Sequence, residues 1–195
     1  GAVTAADINT IGGKTSGAIT GTAITQITGD AADVATALAH LDNKPTGHNV
    51  VYTDAPSAAQ LKAVNDATTG TITLNVTTGA LDDTSAVLVD AFKGTVTQHT
   101  GTVKIKDAPT AAQLKSINAN TDGVITLGTT GGALDDTAAV LYDALDGITT
   151  HTGTVKVKDA PTVAQLKRIN AATTGTITLV DATGALSGSA ADIKA

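Results

Sequence analysis

Two aspartate doublets, Asp82-Asp83 and Asp135-Asp136, are the densest groupings of oxygen ligands in the chain. Calcium takes about six to eight oxygen ligands, so paired carboxylates raise the question of a cation site. The third copy of the same text carries Ser187-Gly188 instead, and neither a GGxGxD nonapeptide nor an EF-hand loop accompanies the pairs. Acids in the first turn of a helix are favoured by capping and by the helix dipole, and that is the role expected of them. The expectation is no cofactor, with calcium as the alternative.

His99 and His151 occupy equivalent His-Thr-Gly tripeptides. If equivalent positions sit two strand spacings apart, roughly 10 Å separates them, too far to share a zinc ligated at about 2 Å. They are expected to be surface turn residues; His40 and His48 have no counterparts. A row formed by Thr73, Lys104, Thr126, Lys156 and Thr178 suggests an exposed sheet face of the kind that suits ice or carbohydrate. The lysines break a uniform threonine array, threonine is a good exposed strand former and lysine deters edge association, so the row is expected to be a solvated β face. Stretches such as GTTGG lack the Lys-Ser/Thr of a phosphate loop. No Ser-His-Asp set and no converging carboxylate pair stands out, so no catalytic residue is assigned and an enzyme is not expected.

These residues belong to a repeat. DAPTAAQLKSIN…GVITL, then GALDDTAAVLYDAL, then HTGTVKV recur with Pro56, Pro109 and Pro161 in register, a period of 53 and then 52 residues. A fixed period of this size marks a repeat architecture. The repeats run over about 1–53, 54–106, 107–158 and 159–195, the last incomplete, within a single array. TAADINTI superposes on TAAQLKSI, with Ile8 and Ile11 in the places of Leu114 and Ile117, so the N-terminal stretch is a diverged copy. GALSGSAADIKA stops at Ala195, before the equivalent of Leu145, and reads as a helix cut short in a segment of a longer repeat protein.

Each period reads as two helix-then-strand halves. Leu114 and Ile117 share a helical face, and Thr110 with Gln113 forms an S/T-x-x-Q capping box repeated as Ser57/Gln60 and Thr162/Gln165. Asp107 is expected to add negative charge at the start of that same helix. In the second half, Leu134, Leu141 and Leu145 share one helical face, with Asp135, Asp136 and Thr137 in its first turn; Ile27, Val34 and Leu38 reproduce that face in the diverged copy. Helices are thus expected to begin near Thr4, Ser57, Thr110 and Thr162, and near Asp30, Asp82 and Asp135. Strands are expected near Ile19, Val50, Ile72, Val103, Ile125, Val155 and Ile177.

Along those strands Ile72/Leu74, Val103/Ile105, Ile125/Leu127, Val155/Val157 and Ile177/Leu179 face one way, while threonines and lysines face the other. A doubly wound sheet would show apolar residues on both faces. The expected fold is therefore α/β, a solenoid of helix–strand units with one parallel sheet and helices on one face. Two separate α/β domains are the alternative, and no Pro/Ser-rich linker marks a boundary for them.

Composition agrees with thin layers. Aromatics make up 2% of the 195 residues, Cys, Met and Trp are absent, and the net charge is −6. Small side chains fill a shallow layer rather than a deep core, and an acidic balance argues against general nucleic-acid binding. No apolar run long enough for membrane insertion is present.

The DAPTxAQL…TGTITL and GALDD texts resemble tandem repeats of very large secreted bacterial surface proteins, including cyanobacterial ones with hemolysin-type calcium repeats or surface-layer functions. That resemblance covers almost the whole chain and implies an extracellular, cell-surface location with a structural or adhesive role. It transfers no functional residues. The leading expectation is a spacer or stalk segment, and the alternative is adhesion to polysaccharide or another surface through the Thr/Lys face. Expected partners are neighbouring repeats or a second copy meeting end to end, with polysaccharide as a further candidate.

Overall fold

The computed structural model describes residues 1–181, 183, 184 and 186. The helix expected after Leu186 lies outside the described residues. The chain is α/β, with seven helices and small parallel sheets among the described residues. It divides into two compact units, residues 1–82 with 87–102, and residues 83–86 with 103–195.

In the first unit, strands β1 (Ala2–Thr4), β3 (Gln26–Gly29), β5 (Asn49–Tyr52) and β6 (Ile72–Leu74) form a parallel sheet in chain order. Val3 pairs with Ile27, Ile27 with Val50 and Val50 with Ile72. Each of these steps holds one helix: α1 (Ala5–Gly12), α2 (Ala31–His40) or α3 (Ala58–Ala67). Successive helices α1, α2 and α3 touch one another. Ile27, Val34, Val50, Leu61 and Ile72 close the core between them, none more than 1% exposed. Tyr52 is buried among them, its hydroxyl donating to the Gln60 carbonyl at 3.3 Å.

The second unit repeats the scheme. Strand β8 (Val103–Ile105) pairs in parallel with β9 (Ile125–Leu127), and β10 (Leu134–Asp136), β11 (Val155–Val157) and β12 (Ile177–Leu179) form a second parallel sheet. Between them run α5 (Ala111–Asn118), α6 (Ala138–Ala144) and α7 (Val163–Ala172), with α6 touching both α5 and α7. Leu114, Ile117, Leu141, Leu145, Val155 and Val157 are buried. Strand β7 (Leu81–Asp83) and helix α4 (Ser85–Ala91) complete the chain order.

The capping boxes form as expected. Thr110 N–H donates to Gln113 Oε1 at 2.9 Å and Gln113 N–H to Thr110 Oγ1 at 3.2 Å, and the Ser57/Gln60 and Thr162/Gln165 pairs do the same. Thr4 and Asp30 cap α1 and α2. Strand alternation also holds: Val103, Ile105, Val155 and Val157 are buried while Lys104 and Lys156 are exposed.

Four expectations need correction. The doublets do not open helices: Leu81–Asp83 and Leu134–Asp136 are strands, and the helices start at Ser85 and Ala138. Leu134 is buried from a strand rather than from the helical face of Leu141, and Ile27 likewise belongs to β3. Leu-Asp-Asp has no second apolar residue to alternate with its leucine, and a leucine on either element points into the same core.

The strand at Ile19 (β2, Ile19–Thr20) does not join the main sheet of its unit; it pairs with β4 (Leu41–Asn43). Finally, the sheet is not one sheet but several small ones. Within one repeat, the step from Val103 to Ile125 and the step from Leu134 to Val155 leave over a short stretch between Ile125 and Leu134. That stretch contains the GTTGG loop, and the strands on either side of it, β9 and β10, pair with different partners.

Candidate functional site

The side chains that recur from copy to copy bind the chain to itself. Asp54, Asp107 and Asp159, each opening an Asp-Ala-Pro triplet, reach back about one strand step to the preceding helix. Asp54 Oδ1 accepts from Ala31 N–H at 2.8 Å, Asp107 Oδ1 from Ser85 N–H at 2.7 Å, and Asp159 Oδ1 from Ala138 N–H at 2.6 Å. Each satisfies an orphan donor in the first turn of a helix and places negative charge at its positive end. Asp107 was expected to serve the helix that follows it; it serves the one before. An aspartate recurring at one place in each repeat was the available signal, and a chain written in one dimension hides which helix lies beside it.

A second set reads the far ends of the helices. Asn118 Nδ2 donates to the carbonyls of Asp143 at 3.0 Å and Asp146 at 2.9 Å, while Lys115 Nζ lies 2.8 Å from Asp143. One repeat earlier, Asn65 donates to the Ala91 carbonyl and Lys62 Nζ lies 3.0 Å from Asp90. The last helical turn has free carbonyls, so an amide from the neighbouring helix satisfies backbone that water would otherwise hold. Arg168 stacks over the Tyr142 ring at 3.7 Å and meets Asp146 at 3.2 Å, tying α7 to α6.

A third set explains the glycines before the leucine strands. A Cβ on Gly132 would lie 2.7 Å from the Ala108 Cβ, closer than real side chains pack, and Gly79 faces Ala55 in the same way. The Gly-Ala-Leu and Asp-Ala-Pro segments therefore meet through a close approach that only glycine permits.

The histidines are not surface turn residues. His48, His99 and His151 are buried at 2% exposure or less. His99 Nε2–H donates to the Gly79 carbonyl at 2.7 Å, and its ring tilts against Phe92 with centroids 6.0 Å apart. His151 Nε2–H donates to the Gly132 carbonyl at 2.7 Å, and its Nδ1 is hydrogen-bonded with the Thr173 Oγ1 at 2.9 Å. Burial pushes the His99 imidazolium down in pKa, against a smaller upward pull from the Gly79 carbonyl. Imidazoles here staple loop carbonyls 19 or 20 residues upstream. Their polarity suggested a surface, but a ring with both nitrogens matched, as in His151, is at home in a core.

The Thr/Lys row is divided. Thr73 is half-buried beside Val51, Lys104 pairs with Thr126, and Lys156 lies between Asp135 and Thr178. Asp135 also meets Lys158 at 3.5 Å and Lys156 at 3.8 Å, so the second of these sheets carries an ion-paired face rather than a uniform threonine array. The doublets are engaged too: Asp83 Oδ1 accepts from Thr84 N–H and Asp136 Oδ1 from Thr137 N–H, each at 2.8 Å. Among the described residues no group of three or more His, Cys, Asp or Glu converges on a metal position.

The second unit carries several depressions, two of them broader than the rest described. One, about 370 Å³, is lined by Asn118, Thr121, Asp122, Ile125, Asp146 and Ile148. The other, about 410 Å³, is lined by Val163, Leu166, Lys167, Asn170, Ile177 and Leu179 on α7 and β12. Among the described residues no helix is long and apolar enough to cross a membrane.

Comparison with protein-family models, with curated proteins and with solved structures finds no match to this chain.

Proposed function

We propose that this chain is a structural segment of a repeat array, a solenoid of helix–strand rungs that acts as a spacer or stalk in a large extracellular bacterial surface protein. The observation that carries the reading is the recurrence of the same rung-to-rung bonds: Asp107 to Ser85 and Asp159 to Ala138 at the helix starts, Lys62 to Asp90 and Lys115 to Asp143 at the helix ends. Side chains kept in register from copy to copy serve the neighbouring rung, which is how a quasi-one-dimensional protein holds itself together. Parallel pairing of strands that follow one another with a single helix between them supports the same architecture. The surface location and bacterial source rest on the resemblance of the DAPT and GALDD texts alone.

The test is insertion. Duplicating residues 107–158 should add two strand spacings, roughly 10 Å, to the maximum dimension in solution scattering, and should raise the denaturant midpoint. An inserted copy that scatters as unfolded chain, or leaves the midpoint unchanged, would rule the array out. Antibody against the chain labelling intact cells of the source organism would test the location separately.

A further inference from the structure

We infer that the Asp146-Gly147 bond is a site of spontaneous backbone modification, at which aspartate is converted through a cyclic imide to isoaspartate. The chain has two Asp-Gly dipeptides, Asp122-Gly123 and Asp146-Gly147, and both line the same depression. Their glycine nitrogens differ. Gly123 N–H donates to Thr121 Oγ1 at 3.0 Å, and the same tie holds Gly70 to Thr68 at 3.0 Å and Gly175 to Thr173 at 2.9 Å in two other copies. Among the described residues nothing accepts a hydrogen bond from Gly147 N–H. Gly147 is exposed with φ +69°, and a Cβ placed on it would meet nothing within 4 Å beyond its chain neighbours, so the turn has room to change shape. The preceding repeat makes the same turn with Lys93-Gly94, the glycine at φ +70°, so the turn itself does not require an aspartate.

The chemistry needs only the chain and water. The Gly147 backbone nitrogen attacks Cγ of the protonated Asp146 carboxyl; the N–Cγ bond forms, and the proton on nitrogen leaves with the carboxyl hydroxyl as water. Water then opens the five-membered imide at either carbonyl. Attack at Cγ breaks the new bond and restores aspartate. Attack at the α-carbonyl breaks the original peptide bond and leaves the main chain running through Cβ. An amide nitrogen is a weak nucleophile because its lone pair is delocalised, so an unbonded N–H and a free approach decide which dipeptide reacts. The Asp146 carboxyl must first leave Arg168, whose Nη1 lies 3.2 Å from Oδ1. The two side chains are 34% and 63% exposed, so that ion pair is a weak restraint. Conversion would undo two ties of α6 to its neighbours. The Asp146 carbonyl that Asn118 holds at 2.9 Å becomes a free carboxylate, and the carboxyl paired with Arg168 becomes main chain.

Incubating the full 195-residue chain in warm neutral buffer, then mapping its peptides by electron-transfer fragmentation, tests this. In the folded chain isoaspartate is expected to accumulate several-fold faster at position 146 than at 122. In urea-unfolded chain the two positions should react at comparable rates, because the tie from Gly123 to Thr121 is then gone. Arg168→Gln should raise the folded-chain rate several-fold at 146 and leave 122 unchanged. Equal rates at the two positions in the folded chain, or isoaspartate at 146 only after unfolding, overturns the inference. A rise at both positions in Arg168→Gln also counts against it, since loosened folding rather than the lost ion pair would then expose the bond.

Discussion

Asp107 and Ser85 are 22 residues apart in sequence and joined by two hydrogen bonds, Oδ1 to the backbone N–H at 2.7 Å and Oδ2 to the hydroxyl at 3.0 Å. One carboxylate thereby fixes both the start of a helix and the position of the next repeat against it. Removing it should cost about 1–2 kcal/mol, the range for a lost helix cap. Asp107→Asn keeps an acceptor for the N–H and should recover part of the loss. Denaturant titration of the two variants checks the order: Asp107→Ala below Asp107→Asn below the parent.

His99 gives stability a pH dependence. Its folded pKa is lowered from 6.5 by burial, so below pH 6.5 the unfolded chain takes up a proton before the folded one does. More protons on the unfolded state mean that stability falls as pH falls. The His99 contribution is complete above pH 6.5 and is lost as pH drops from there through the depressed folded value. Melting temperatures between about pH 7.5 and 5 should therefore slope less steeply in His99→Gln than in the parent. A ring titration by NMR at or above 6.5 would contradict it.

Facing sets the cost of substitutions. Leu114 is fully buried between α5 and its neighbours, and Leu114→Ala should cost about 2–5 kcal/mol. Thr126 is exposed beside Lys104, and Thr126→Ala should stay within roughly half a kcal/mol of the parent. Similar denaturation midpoints for the two variants would show the strand reversed.

Calcium should do little. Asp83 and Asp136 are occupied by the backbone N–H groups of Thr84 and Thr137, and Asp135 faces Lys156 and Lys158. Millimolar calcium or EDTA should leave the melting temperature within about 2 °C of the parent, since an ion held only by the native state would raise it through linkage. A larger calcium-dependent rise would locate a bound cation.

By itself the sequence determined the repeat, the helix starts at Thr4, Asp30, Ser57, Thr110 and Thr162, and the inward and outward faces of strands such as Val103–Ile105. These are local matters: a capping box closes within one helical turn, and alternation is written into the pleat. Only the tertiary structure decided that Leu134–Asp136 pairs as a strand, that Asp107 caps the helix before it, and that His151 lies inside against Gly132 and Thr173. Each of these depends on which segment lies alongside another that is distant in the chain. Leucine, aspartate and histidine suit several local settings equally, so the choice among them falls to the neighbour that folding brings into contact.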